Sequence, residues 1–253
     1  MRICVLGHGS RYDAVKEALG NAGHELMRSM NPAIIDLIVL ANYSTILKKE
    51  DYQYVKYGAI NCHAGNLPEY RGSSVLNWQI INGEQFFGLS IIQVDEGIDT
   101  GDILWKHSYA MSDKTISDIR EIANREFARE ILIIVSMIEY GTIKKVKQGE
   151  NSAYYWHHRK PADSRILWDK MTAGQVYNLV RASEPPYEAF CWLGDYIDKE
   201  KDSLFIPRAK LLDETFKGIA GRVVRKIDDG VVVIAKDRGV WIRADLKVGD
   251  QLW

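Results

Sequence analysis

The sequence predicts an α/β protein: a mostly parallel sheet with flanking helices, followed by a small β-rich segment at the carboxyl end. Through the first half of the chain, short apolar runs that read as buried strands alternate with stretches of helical periodicity, the pattern of a sheet covered on both faces. The first such run ends in Gly7-His8-Gly9-Ser10, a tight loop between strand and helix. Beyond Phe205 the apolar runs are rich in Val and Ile and are broken by Asp-Gly and Arg-Gly pairs, as in an antiparallel meander.

Arg2 to Leu6 is the first strand, and Tyr12 to Ala22 carries helical spacing. Asp36 to Ala41 and Ala59 to Cys62 are the next two strands, separated by a polar stretch rich in Lys and Tyr. Ser73 is placed to cap a helix over Val75 to Ile81 that Asn82-Gly83 closes. Gly88 to Gln93 reads as a further strand, and the loop Val94 to Gly101 follows. From Thr115 to Tyr140, Ile116, Ile119, Ala123, Phe127, Ile131, Ile134, Val135 and Ile138 recur at helical spacing before Gly141, which predicts a long helix against the sheet. A helix around Thr172 to Ala182 ends before Pro185-Pro186. Gly221 to Ile227, Val231 to Ala235 and Val240 to Ala244 form the meander, with turns at Asp228-Asp229-Gly230 and Asp237-Arg238-Gly239. The expected division is a main domain at 1–204, made of a core 1–150 and a helical extension 151–204, and a β tail at 205–253.

With 253 residues and 46% hydrophobic content, the chain can bury a core without covalent staples. Its 33 basic and 34 acidic residues leave a formal charge of −1, so no whole-protein field favours nucleic acid or an anionic membrane. Cys4, Cys62 and Cys191 are few and widely spaced, which fits a reducing compartment and supplies no metal framework. The chain opens on a strand-like run with no cleavable leader, and no run approaches the roughly 20 apolar residues of a spanning helix. The expectation is a soluble, cytoplasmic protein.

The segment Asn61-Cys62-His63-Ala64-Gly65-Asn66-Leu67-Pro68-Glu69-Tyr70-Arg71-Gly72 begins at the carboxyl end of a predicted strand, where open α/β sheets collect ligands. Asn61 and His63 are two apart, so in extended chain their side chains share a face. Asp99 lies in Asp95-Glu96-Gly97-Ile98-Asp99-Thr100-Gly101, after the next long strand, and neighbouring parallel strands are expected to bring the two loops together. An imidazole oriented by a carboxylate is a general base, and an amide N–H can hold a developing oxyanion. Amine attack on an activated carbonyl needs those functions, and no Ser or Cys stands in an elbow motif to offer a covalent route. Taken singly, each of the three is an ordinary polar loop residue; their joint placement points to chemistry.

Asn61-x-His63, the turn Leu67-Pro68-x-Tyr70-Arg71-Gly72, and Asp95-Glu96-Gly97-x-Asp99-Thr100-Gly101 together resemble the folate-dependent formyltransferase family, which includes methionyl-tRNA formyltransferase and the sugar N-formyltransferases. The resemblance runs from about Cys4 to Phe190 and implies a Rossmann-like core with N10-formyltetrahydrofolate as donor. It implies catalytic roles for Asn61, His63 and Asp99. The family's common Ser-Leu-Leu-Pro turn reads Gly65-Asn66-Leu67-Pro68 here. The resemblance also implies a pterin site between the loop after Leu37 to Ala41 and the loop leading to Asp99, with Leu40, Ala41, Asn42, Asp95 and Gly97 as binding residues.

The segments from His157 to Ile166, Asn178 to Ala182 and Pro185 to Phe190 are similar to the sugar-nucleotide branch, which implies a nucleotide-linked amino sugar as acceptor and a homodimer. Guanidinium and ammonium groups suit a diphosphate; Arg159, Lys160, Arg165 and Arg181 are candidates, with Trp156 or Tyr187 for stacking and Gly9, Ser10, Arg71 and Asp163 as further substrate residues. The alternative is a packed surface with snorkelling cations. Methionyl-tRNA formyltransferase is the nearest rival, opposed by the expectation of a longer chain with a larger basic carboxyl-terminal domain. Glycinamide ribonucleotide formyltransferase shares the trio but lacks the Arg159 to Asp163 block. A protein that binds folate and nucleotide without chemistry is the non-enzyme reading, and the tail is either packed on the main domain or partly a dimer surface. Gly7-x-Gly9 lacks the third glycine of a dinucleotide fingerprint, position 12 being Tyr12, so NAD is not expected. His157-His158 has no companion spacing for a metal.

Overall fold

The computed structural model describes residues 1–194 and 203–253; of the predicted extension 151–204, the stretch 195–202 lies outside the described residues. In chain order the elements are β1 (Arg2–Gly7), α1 (Gly9–Asn21), β2 (Glu25–Met27), β3 (Leu37–Ala41), α2 (Lys49–Tyr52), β4 (Ala59–His63), β5 (Arg71–Gly72), α3 (Val75–Ile81), β6 (Phe86–Gln93), β7 (Ile103–Ala110) and α4 (Ile116–Glu139). There follow β8 (Tyr155–Trp156), a 3-10 turn at Pro161–Ser164, α5 (Ala173–Arg181), β9 (Phe190–Trp192), β10 (Ser203–Phe205), β11 (Ala209–Lys210), β12 (Val223–Ile227), β13 (Gly230–Ile234) and β14 (Gly239–Ile242).

Two compact units divide the chain: Met1–Leu76 with Phe86–Ala110 and Asp118–His157, and Asn77–Gln85 with Met111–Ser117 and His158–Trp253. The first holds a sheet of order β2-β1-β3-β4-β6-β7. The pairs β1–β2, β1–β3 and β3–β4 are parallel, while β4–β6 and β6–β7 are antiparallel. Predicted strands and helices fall in place, but the expected parallel pairing of the Gly88 to Gln93 strand does not. The short connection from Gln93 to Ile103 closes β6 and β7 as a hairpin; β6 also runs antiparallel to β4, although the connection from His63 to Phe86, which holds α3, is long enough for a parallel crossover. β3 is buried at every residue, as a central strand should be. Gly7 pairs with Ala41, and a Cβ there would stand 1.8 Å from the Ala41 carbonyl oxygen, so the first loop begins where the sheet backbone leaves no room for a side chain. On α4 the predicted apolar stripe is buried throughout, and Phe127 meets Trp105 of β7 edge-on at 6.3 Å. Among the described residues no helix is long and apolar enough to cross a membrane.

In the second unit α5 opens with a reciprocal cap: Gln175 N–H donates to Thr172 Oγ1 (3.2 Å) and Thr172 N–H to Gln175 Oε1 (2.9 Å), a motif that satisfies two otherwise orphaned donors. The order β11-β14-β13-β12 is the expected antiparallel meander. It is not a separate tail. Ile166, Val176, Leu179 and Cys191 share one buried cluster with Val231, Val233, Val240, Ile242 and Leu252, and the Ile166 N–H donates to the Phe190 carbonyl. The compact units therefore divide near 158, not at 204/205. The tail residues that needed covering, Val231, Val232, Val233, Ile234, Val240, Trp241 and Ile242, are at most 3% exposed. Their own chain covers them, which removes the reason for assigning part of that surface to a dimer.

Candidate active site

β4 alternates its side chains as the spacing requires. Asn61 and His63 share one face; Cys62, between them, is buried, and burial pushes its thiol up to about 12, which makes it a packing residue and not a nucleophile. Asp99 joins the pair. Its Oδ1 accepts from Asn61 Nδ2 at 3.3 Å and lies 3.4 Å from His63 Nδ1, and its Oδ2 accepts the Gly72 N–H at 2.8 Å. All three predicted residues thus meet. They meet by a route other than the expected one: β6 is antiparallel to β4, and the 94–102 connection brings Asp99 to the face of β4. There Asp99 adopts φ +53°, a left-handed conformation that Asp tolerates better than most residues.

The imidazole is held in one tautomer. His63 Nε2 is 2.6 Å from the Tyr70 carbonyl oxygen, and a carbonyl only accepts, so Nε2 carries a hydrogen and Nδ1 is the nitrogen turned to Asp99. His63 is 6% exposed. Gly65 makes this contact feasible, since a Cβ there would come within 2.5 Å of both His63 Nε2 and the Tyr70 oxygen. The Ser90 hydroxyl on β6 donates to the Gly65 carbonyl at 2.8 Å and fixes that loop to the sheet.

Around the trio runs a clamp. Arg71 is fully buried; its Nε donates to Gln148 Oε1 (3.2 Å), and its terminal nitrogens donate to Glu150 (3.1 and 3.0 Å) and the Tyr155 hydroxyl (3.1 Å). The Glu150 carboxylate beside it raises the Arg71 guanidinium, and Arg71 in turn lowers the Glu150 carboxyl. Trp156 stacks on Tyr70 (5.2 Å, 10° between planes) and donates Nε1–H to the Glu69 carbonyl. Arg71 and Trp156, expected on the substrate, hold the 65–72 loop, every guanidinium nitrogen of Arg71 and the indole N–H having protein acceptors. Gln148, which sequence reasoning passed over, donates Nε2–H to the carbonyls of Asp99 and Gly101, each at 2.8 Å.

Among the residues expected at the pterin, Leu40 and Ala41 are buried and pair with both β1 and β4. Asn42 is the first outside the sheet: it is exposed, has φ +57°, and donates Nδ2–H to the His8 carbonyl at 2.9 Å. Asp95 shapes its own loop by accepting from Gly97 N–H (3.1 Å) and Thr100 Oγ1–H (2.6 Å), while Lys49 of α2 pairs with Glu96. Gly9 is exposed at φ +73°, and the Ser10 hydroxyl accepts from Asn124 Nδ2 at 2.9 Å.

The second unit treats its expected substrate residues unequally. Arg159 is 1% exposed and donates to the Ala182 carbonyl, Ser164 Oγ and Ser183 Oγ. Arg181 is 9% exposed and donates to the Ser112 and Lys114 carbonyls and to Asn178 Oδ1. Burial lowers both guanidinium groups. The Asp163 carboxylate accepts the Lys160 N–H at 2.7 Å and caps the 3-10 turn. Arg159, Arg181 and Asp163 thus organise backbone in this structure. Arg165 lies 3.4 Å over the Trp192 ring. Lys160 is exposed, and Tyr187, half-buried, meets His158 edge-on.

An open α/β sheet that presents an amide, an imidazole and a carboxylate within hydrogen-bonding reach has the make-up of a group-transfer site. A family model described as formyl transferase matches residues 10–135, and one described as formyl transferase, C-terminal domain, matches residues 159–248. Methionyl-tRNA formyltransferase of Clostridium acetobutylicum is 31% identical over 219 residues, 86% of this chain and 68% of that protein. The chain belongs to the formyl transferase family. It spans 63–68% of the length of the eight methionyl-tRNA formyltransferases compared. In fold it is similar to the N-formyltransferase from Helicobacter canadensis in complex with folinic acid and dTDP-3-aminofucose, with a TM-score of 0.75 at 16% identity over 99% of both chains. The methionyl-tRNA formyltransferase from Clostridium thermocellum gives a TM-score of 0.65 at 21% identity, over 84% of this chain and 94% of that one. Residues 159–248, expected as an extension and a tail, match the family's C-terminal domain.

Proposed function

We propose that the protein transfers a formyl group from N10-formyltetrahydrofolate to the primary amine of a nucleotide-linked amino sugar, in the cytoplasm, for a cell-surface polysaccharide such as an O-antigen. The observation that carries formyl transfer is the cluster of Asn61, His63 and Asp99 in a chain of this family. The donor set suits the folate, since the chemistry needs an N–H for the carbonyl oxygen and a route for one proton; the folate supplies the activated one-carbon group. For its pterin, the exposed Asn42 and the loop of Asp95 and Gly97 are the assigned neighbours. Asn61 carries two N–H groups on Nδ2: one goes to Asp99, and the other is assigned to the formyl oxygen as negative charge gathers there. His63 holds or takes a proton at Nδ1, and Asp99 stabilises the cationic ring. A bond forms from the acceptor nitrogen as the bond to the folate nitrogen breaks, and one proton passes from the former to the latter.

The sugar acceptor is supported by likeness over the full length to a fold seen with a dTDP-amino sugar and by the charge of −1, which supplies no excess of cations for a nucleic-acid backbone. Lys160, Tyr187, Gly9 and Ser10 stay as acceptor candidates. A second reading, formylation of methionyl-tRNA, is favoured by the 31% identity to enzymes of that name. The deciding experiment measures tetrahydrofolate release from N10-formyltetrahydrofolate with dTDP-, UDP- and GDP-linked amino sugars, dTDP-4-amino-4,6-dideoxyglucose first, beside charged initiator tRNA. Release with one amino sugar alone supports the proposal, and release with tRNA alone replaces it with the second reading.

A further inference from the structure

We infer that Gln148 is a positioning residue, which acts on the reaction only by holding Asp99 where it meets His63 and Asn61; this rests on the formyl-transfer reading above. Asp99 sits in a left-handed conformation at the end of a connection that leaves the sheet, so its place is set by what grips its backbone. Gln148 provides that grip. Both hydrogens of its amide go to the loop, one to the Asp99 carbonyl and one to the Gly101 carbonyl, each at 2.8 Å. Its Oε1 faces Arg71 Nε at 3.2 Å, and since a guanidinium only donates, the amide is held oxygen toward Arg71 and nitrogen toward the loop. Arg71 is itself fully buried and anchored by Glu150 and Tyr155. The chain of bonds from Arg71 through Gln148 to Asp99 is therefore directional, and it ties the 65–72 loop to the 99–101 loop across the reactive cluster. Asp99 closes the circuit by accepting the Gly72 N–H, the residue next to Arg71, at 2.8 Å.

Gln148→Glu isolates the grip. The carboxylate keeps an acceptor for Arg71 and so preserves the buried guanidinium, but it turns an oxygen toward two carbonyl oxygens and has no hydrogen for either. In the full-length protein, kcat for tetrahydrofolate release is expected to fall about 10²-fold, the scale of a misplaced catalytic group. KM for the acceptor should stay within about threefold, since the residues assigned to it lie outside the 94–102 connection. The readout independent of activity is exchange of the Gly72 amide hydrogen, which the Asp99 carboxylate protects: it should quicken by about tenfold or more while amides of β1 and β3 keep their rates. Gln148→Met, with similar length and no donor, should reproduce both changes. Wild-type kcat in Gln148→Glu overturns the inference, as does a loss of kcat with the Gly72 amide still protected, or a uniform rise in exchange that marks general loosening. If the wild-type protein releases no tetrahydrofolate with any amine, formyl transfer fails as a reading, and the Gly72 amide still decides whether Gln148 holds Asp99.

Discussion

The loop from Asn61 to Gly72 and the stretch from His157 to Tyr187 are both dense in polar side chains, and both carry motif-like patterns. They differ in where those side chains point their hydrogens. In the first, side chains bond to one another across two connections, with Asn61, His63 and Asp99 converging. In the second, the conspicuous cations turn inward onto backbone, Arg159 to Ala182 and Arg181 to Ser112 and Lys114. A polar residue in a recognisable pattern thus joins a convergent side-chain cluster in one region and braces backbone in the other. The partners, which no motif records, separate the two cases, since burial is alike: His63 is 6% and Arg181 9% exposed.

The sharpest way to break this comparison is to remove members of the convergent cluster. Asn61→Ala and His63→Ala should each cost about 10²–10³-fold in turnover with the fold retained by circular dichroism; near-normal turnover in either would make the convergence a packing accident. Gly65→Ala comes next. A methyl within 2.5 Å of His63 Nε2 and the Tyr70 oxygen should displace the imidazole and destabilise the protein by about 1–3 kcal/mol, the usual cost of overpacking, read by urea denaturation beside turnover. The inward region predicts the opposite signature. Arg159→Met should lower stability by about 2–3 kcal/mol through buried acceptors left unpaired, yet leave KM for the acceptor unchanged; a large rise in KM with intact stability would return Arg159 to the substrate.

The smallest expected effect lies outside both regions. Arg2 donates to both carboxylate oxygens of Asp36, which holds that carboxyl down at about 2 from 3.8. A depressed carboxyl stabilises the fold above its unfolded value and loses that contribution as pH falls through the folded one. Asp36→Asn should therefore flatten the decline of Tm between about pH 4 and pH 2 slightly, the pair being largely solvent-screened.

Much of this was legible in the residues. The two-residue spacing of Asn61 and His63 sufficed to put them on one face, and the stripe from Ile116 to Ile138 sufficed for α4. β7 was missed because Lys106, His107 and Ser108 interrupt its apolar alternation, as befits a strand at the sheet edge. The direction of β6 was not legible because a long helical connection from His63 to Phe86 permits either polarity and an apolar run carries no direction. Gln148 was passed over since a lone Gln between Lys147 and Gly149 has no period and no motif. The burial of Arg159 and Arg181 was not legible, because cations are buried so seldom that sequence reasoning places them at the surface.

The pinned imidazole has a consequence for proton traffic. With Nε2–H bound to the Tyr70 carbonyl and Gly65 closed against the ring, His63 is a chamber with a single door. A proton that enters at Nδ1 must leave at Nδ1, because the far nitrogen opens on a carbonyl that accepts hydrogen bonds but carries nothing onward. A ring so held stores charge without relaying it, and under the proposed transfer the acceptor nitrogen and the departing nitrogen must both come to the same edge of the imidazole, in turn or through a shared water.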